Sequence, residues 1–264
     1  MATIFLDFCN FSDNAVLLYH HNFYQVVEYT VVTVVRYKKW LFGAGFFSMA
    51  LFHWPLIRNR NISFYKLMGC GKNGSFDRIP DVQQWAVLVM LKQLPDCLSE
   101  QQYSAIIFGK FIDAWWKFFG CEKYTLVLKT MQAHGKWDGK SRYTNTDSQK
   151  IDSTPIAVLT RATIRLSKLR SFWRHVPVVS RTMSKSEGLI YSIGFGEWPW
   201  VKQATLSIWK DAAAMKKFAY GQSEHLSIIQ KTRKEKWYSE DMFVRFSISK
   251  SFGTIRGNQP LRGF

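Results

Sequence analysis

Three features of this 264-residue chain predict an α+β fold: two ferredoxin-like βαββαβ repeats forming a pseudo-dimeric α+β barrel. The same order of strand and helix patterns occurs twice. The second strand of each pass carries a tyrosine and then Gly-x-Gly: Tyr65 with Gly69 and Gly71, Tyr191 with Gly194 and Gly196. The closing strands both run into the same glycine spacing, Gly135-Lys136-Trp137-Asp138-Gly139 and Gly253-Thr254-Ile255-Arg256-Gly257.

The elements follow in order. Tyr29–Tyr37, with Thr-Val-Val-Thr-Val-Val, is a β-branched strand. An apolar helix near Lys39–Trp54 follows, and Pro55 is expected to end it. Ser63–Cys70 and Gln84–Met90 read as strands, Leu98–Phe119 as helix and Tyr124–Met131 as the closing strand. The second pass gives strand Ile156–Ile164, a helix from Leu169 past Arg174, strands Leu189–Gly194 and Lys202–Trp209, two helices, and strand Phe243–Ser249. The polar run from Asp138 to Thr154 reads as a linker. The resulting divisions are an extension over 1–23, repeats over 24–137 and 156–257, a linker over 138–155, and a tail over 258–264. Each repeat leaves one sheet face bare, and packing two such faces together predicts a barrel with a cavity between the sheets.

The most informative stretch is Gln203–Phe246. Gln203-Ala204-Thr205-Leu206-Ser207-Ile208-Trp209 alternates as a half-buried strand does. Asp211 opens a helix with Ala212, Met215, Phe218 and Ala219 on one face, and Gly221 stops it. Ser223 and Glu224 then suit the start of a second helix. His225 lies on the face shared with Ile228, Ile229 and Thr232, so it points to the apolar interior. An imidazole there needs a partner, and iron is one candidate. The other reading is a helix-start histidine satisfied by a carbonyl or water. His175, beside Trp173 and before Pro177, is the alternative metal ligand, in a context that breaks helices.

Hydrophobic residues make up 47% of the chain and aromatic residues 16%, which suits a core around a large apolar ligand as well as an aromatic core without one. The formal charge is +17, and residues 151–264 hold 19 Lys and Arg against eight Asp and Glu. Such charge calls for an acidic partner or an anionic surface. No zinc-finger spacing, RNP-like motif or basic heptad region accompanies it, which argues against nucleic acid. Cys9, Cys70, Cys97 and Cys121 are widely spaced, so reduced thiols in the cytoplasm are expected. Cys70, between two glycines, reads as a plain buried cysteine rather than a thiolate ligand. Trp40–Ile57 carries no charge besides His53 and is flanked by Arg36, Lys38, Lys39, Arg58 and Arg60. A buried or membrane-touching helix is the preferred reading over a barely sufficient span.

The segment Phe218-Ala219-Tyr220…His225…Arg233-Lys234-Glu235-Lys236-Trp237-Tyr238-Ser239-Glu240-Asp241-Met242-Phe243-Val244-Arg245-Phe246 resembles the C-terminal part of the spheroidene monooxygenase family of carotenoid oxygenases. The likeness continues in Leu159–Ile164, Phe172–Pro177 and Ile193–Pro199, and more weakly in Phe64–Gly71 and Gly135–Trp137. It spans roughly Tyr24 to the C-terminus. The resemblance implies a relative of the dimeric α+β barrel haem proteins. The implied activity is hydroxylation or ketone formation on an acyclic or long polyene carotenoid, with dioxygen and reduced ferredoxin as co-substrates.

Oxygen insertion into a C–H bond exceeds side-chain chemistry, so a redox cofactor is required. The chain has no Rossmann fingerprint after a strand, no Walker loop and no facial-triad spacing. A haem with one histidine ligand asks least of the sequence, and the resemblance places that histidine at His225. Arg161, on an otherwise apolar strand, suits a haem propionate or bound dioxygen; an outward-facing strand arginine is the other reading. Gln203 and Thr205 share a strand face suited to distal hydrogen bonds or to plain polar-out placement. Trp209 and Trp237 read as packing. The expected partners are a carotenoid, an acidic ferredoxin-type donor and the inner face of a membrane. The rival readings are a haem-dependent lyase or peroxidase on the same barrel, aldoxime dehydratase-like, and a non-catalytic hydrophobic-ligand or haem-binding protein.

Overall fold

The computed structural model describes residues 28–72, 78–94, 99–145, 155–221, 231–232 and 234–262. Eight strands close into one barrel. They are β1 (Tyr29–Arg36), β2 (Ile62–Gly71), β3 (Pro80–Leu91), β4 (Glu122–Gly135), β5 (Ile156–Ile164), β6 (Leu189–Trp198), β7 (Lys202–Trp209) and β8 (Tyr238–Gly253). Around the barrel the order is β1-β3-β2-β6-β7-β5-β8-β4, antiparallel throughout. Each half taken by itself reads β4-β1-β3-β2 and β8-β5-β7-β6, so each has the ferredoxin-like order. The halves are joined at β2–β6 and at β4–β8.

The helices are α1 (Phe42–Leu51), α2 (His53–Arg58), α3 (Tyr103–Phe108), α4 (Lys110–Phe118), α5 (Leu169–Ser184) and α6 (Ala212–Gly221). Because they cover the outside while the two sheets cover each other, central strands are buried on both faces. β1 shows why its sequence is a continuous β-branched run. Val32 and Val34 face the barrel interior, whereas Val31 and Val35 pack under the helices of the first half. Thr33 and Thr125, opposite each other in register, satisfy their buried hydroxyls with one 2.7 Å hydrogen bond.

Both sequence repeats have structural counterparts. Gly69 of the first Gly-x-Gly pairs with Gly196 of the second, so the two motifs meet at the β2–β6 junction. Gly135 and Gly253 both adopt positive φ, +92° and +76°. A Cβ at Gly135 would run into the Asp241 carbonyl and one at Gly253 into the Lys123 carbonyl. The hairpins that follow match too, with bridges Trp137↔Lys140 and Ile255↔Asn258.

Several expectations differ from the structure. The barrel interior is not an open cavity: Leu88, Leu126, Leu159, Phe195, Leu206 and Phe246 fill it. Pro55 does not end the apolar helix, because it sits in the first turn of α2, where a missing N–H costs nothing. Pro177 does not break α5, which runs on to Ser184 with the proline on its exposed side. The stretch after Trp137 starts as structure, since Asp138 turns the hairpin and Tyr143 is buried in the interior cluster; Leu261 of the C-terminal tail joins the same cluster. Leu98–Phe119 is helical from Tyr103, in two pieces parted at Gly109, whose φ is +93°.

Candidate functional site

Alternation along β5 sends Ala157, Leu159 and Arg161 inward. Arg161 is 2% exposed, at one end of the barrel interior. Its Nη1 donates to Glu240 Oε1 on β8. Nε and Nη2 make no hydrogen bond of their own but lie 3.4 Å from Glu197 Oε1 and 3.6 Å from Asp138 Oδ1. Lys66 on β2 reaches Asp138 and Glu197, both at 2.5 Å, and Lys202 reaches Asp138 at 2.8 Å. Trp137 donates its indole N–H to Glu197 (2.8 Å), and the Arg161 guanidinium lies 5.7 Å from the Trp137 ring.

Three carboxylates and three cations thus form one neutral cluster drawn from both halves. Burial pushes the Asp138 carboxyl up, but hydrogen bonds from Lys202 and Lys66 outweigh it and hold the group at about 2. Glu240 is also held low: burial opposes ionisation, and the Gly139 N–H and the Arg161 guanidinium favour it. Lys66 is raised, since its two carboxylate partners outweigh the cost of burial. With its charge matched on every side, Arg161 is engaged by protein carboxylates.

The other predicted polar pair lies across the sheet. Ala204, Leu206 and Ile208 of β7 face the interior, so Gln203, Thr205, Ser207 and Trp209 face outward. Arg161 and Thr205 therefore stand on opposite faces and are not brought together. Gln203 Nε2 donates to the Trp198 carbonyl at 3.5 Å. Thr205 is 3% exposed, and its Oγ1 has no partner among the described residues. Arg245, next to Val158 in the β5–β8 register and outward like Phe243, has a buried, unpartnered Nε. Thr205 Oγ1 and Arg245 Nε are thus two buried polar atoms without a hydrogen-bond partner on the outer face of the second half. α5 and α6 flank this face through Met183, Ala212 and Met215.

His225 lies outside the described residues, in 222–230, as do His20, His21, Cys9 and Cys97. His175 on α5 donates Nδ1–H to the Ser171 carbonyl (2.7 Å) and packs 5.2 Å from the Trp237 ring. His53 Nδ1 shares a 2.8 Å hydrogen bond with the Tyr65 hydroxyl. Trp209 and Trp237 are 1% exposed and pack as expected. Burial pushes the Cys70 thiol up to about 12, so it is an inert interior cysteine. Among the described residues no three His, Cys, Asp or Glu side chains gather as a metal site. A pocket of about 230 Å³ opens beside Ala133, His134, Gly135, Ser141, Tyr143 and Met242. It falls below the roughly 300–1,000 Å³ of small-molecule sites and is too small for a long polyene.

No family model matches the chain. Among curated proteins it is 34% identical over 199 residues to the spheroidene monooxygenase of Cereibacter sphaeroides, covering 75% of this chain and 59% of that protein. The chain thus spans less than two thirds of that relative's length. It is 30% identical over 217 residues to the spheroidene monooxygenase of Rhodobacter capsulatus, covering 81% of this chain and 87% of that one. With the Rubrivivax gelatinosus protein of the same name it shares 27% over 205 residues. In fold it is similar to an aldoxime dehydratase (TM-score 0.56, 10% identity, 90% of this chain and 88% of that one). A second aldoxime dehydratase, solved with butyraldoxime, gives a TM-score of 0.55 at 10% identity over 89% of this chain and 85% of that one. Agreement with the Rhodobacter capsulatus protein over most of both chains settles the relationship: this chain belongs to the spheroidene monooxygenase family.

Proposed function

We propose that the chain is a carotenoid monooxygenase, introducing hydroxy or keto groups into an acyclic or long polyene with dioxygen and electrons from a reduced, acidic ferredoxin. The observation that carries this reading is the sequence likeness to three proteins named spheroidene monooxygenase. A haem ligated by His225, the ligand that the family resemblance implies, would supply the oxygen activation that side chains lack. Fit to such a group rests on the orphaned Thr205 Oγ1 and Arg245 Nε: a buried hydroxyl and a buried guanidinium N–H are suited to hydrogen-bond a haem's polar edge or its bound ligand. His175 is the alternative ligand, with Nε2 as its ligating atom because Nδ1 is engaged by the Ser171 carbonyl. Arg161 acts at a distance, by fixing the strands that carry Thr205 and Arg245. Gln203 lines the same outward face as Thr205.

The donor surface is the exposed side of α5. Arg170, Arg174, Arg181 and Lys185 follow one another at close to helical spacing, with no acidic residue in the helix. No carboxylate among the described residues pairs with them. Such a stripe favours encounter with an acidic protein. The protein works in the cytoplasm, against the inner face of the membrane that dissolves its substrate.

The visible spectrum of the purified protein, reduced and with carbon monoxide, tests the cofactor, and product analysis with an acyclic carotenoid tests the reaction. A Soret band in the wild type that is lost in His225→Ala, together with oxygenated carotenoid, is expected. Dehydration of an aldoxime without carotenoid turnover would favour the lyase reading, and a protein that never binds haem overturns the cofactor assignment.

A further inference from the structure

α1 and α2 lie flat on the first sheet. Gly45, Ser48, Phe52 and Leu56 form their buried stripe. A Cβ on Gly45 would meet the Trp85 indole, and Phe52 packs edge-on against Trp115 and Trp116. The opposite side carries Trp40, Phe42, Phe46, Phe47, Leu51, Trp54 and Ile57, exposed at 45–74%. Large side chains contribute about 150–250 Å² each, so this face leaves on the order of 800 Å² of apolar surface. The largest patch on an ordinary monomer is roughly 300–600 Å².

We infer that this face inserts into one leaflet of an anionic lipid bilayer, with the helices lying in the interface plane. The segment Lys39–Arg58 is long and apolar enough to cross a membrane, yet its buried stripe holds it against the barrel. The ends are built for a headgroup layer. Lys38 Nζ lies 6.0 Å from the Trp40 ring and the Arg58 guanidinium 4.4 Å from the Trp54 ring. Indoles beside cations match the interface, where rings sit at headgroup depth and cations meet phosphates. Lys38, Lys39, Arg58 and Arg60 are exposed, and no acidic residue occurs from Lys38 to Arg60. A second copy is the wrong occupant, because a twofold contact would set this cationic rim against itself. The purpose of the insertion rests on the carotenoid reading, since a polyene reaches the enzyme only through lipid.

The test is flotation of the full chain with phosphatidylcholine vesicles, with and without phosphatidylglycerol, beside a Phe46→Ser/Phe47→Ser/Trp54→Ser variant. The wild type should float chiefly with the anionic vesicles, and partitioning should fall about tenfold per ring removed. Wild type left in the aqueous fraction with both vesicles overturns the inference. So does equal binding by the variant, resistance to alkaline extraction as shown by spanning proteins, or concentration-dependent dimers dispersed by the same substitutions. An unchanged circular dichroism spectrum of the variant excludes misfolding. Carotenoid turnover in detergent separates the two claims: turnover without vesicle binding sinks the insertion alone, and vesicle binding without turnover sinks the oxygenase reading alone.

Discussion

Replacing Arg161 by Met keeps the bulk of the side chain and removes one of the three cations that balance Asp138, Glu197 and Glu240. Breaking a buried pair from one side costs about 3–5 kcal/mol. The carboxylate partners are 12–32% exposed, and Asp138 keeps Lys66 and Lys202 while Glu197 keeps Lys66, so the lower end, about 3 kcal/mol at pH 7, is expected. The pH dependence discriminates further. In the wild type, Asp138 and Glu240 ionise more readily folded than unfolded. The stability they confer is therefore complete above the unfolded values of about 3.9 and 4.3, and is lost as pH falls through the folded values, about 2 for Asp138. In Arg161→Met a net negative cluster takes up a proton more readily folded than unfolded, so the deficit should shrink as pH falls from 7 to 5. Urea unfolding followed by far-UV circular dichroism at both pH values measures it. A loss below about 1 kcal/mol, or one equal at both pH values, would refute the idea that charge balance holds this end of the barrel. Adding Glu240→Gln should restore about 1–2 kcal/mol.

Gly135→Ala and Gly253→Ala should each destabilise the chain by more than about 2 kcal/mol, because a left-handed φ and a facing carbonyl both oppose a Cβ; thermal melts read this directly. The KM for an acidic ferredoxin should rise with salt, since exposed charge is screened beyond roughly 10 Å at 0.1 M, and Arg174→Glu/Arg181→Glu should raise it at low salt. Iodoacetamide at pH 8 should leave Cys70 unmodified until the chain is unfolded, as peptide mapping would show.

Much of the fold was legible because two periodicities survive in the sequence. The β-branched run of β1 and the alternation of β7 mark strands, and paired glycine spacings mark places where only glycine fits. The Gly-x-Gly resemblance gains its meaning from the pairing of Gly69 with Gly196. Less legible were features that depend on distance. Alternation allowed Arg161 either face, and the inward choice follows from Ala157 and Leu159, which continue the interior row. Its carboxylates come from residues far along the chain. Glu240 lies in the run that carries the family resemblance, and a carboxylate inside a strand is itself a signal. Local rules make Pro177 a stop because they weigh its missing N–H in isolation, whereas the amphipathic face around Trp173, Val176 and Met183 carries α5 through it.

The two joints of the barrel differ in length. β4 and β8 stay paired from Tyr124↔Gly253 to Gly135↔Met242, whereas β2 meets β6 at Gly69↔Gly196 and Cys70↔Phe195, with Lys66 and Glu197 tied beside them. The long joint is a spine and the short one a latch. Amide exchange should report the latch opening first, with Gly69 and Cys70 losing protection well before the β4–β8 amides. An unlatched chain bares two strand edges already matched to each other. Crowded copies that close each latch with the neighbour's strand form an exchanged dimer, the misassembly this joint predicts at high concentration.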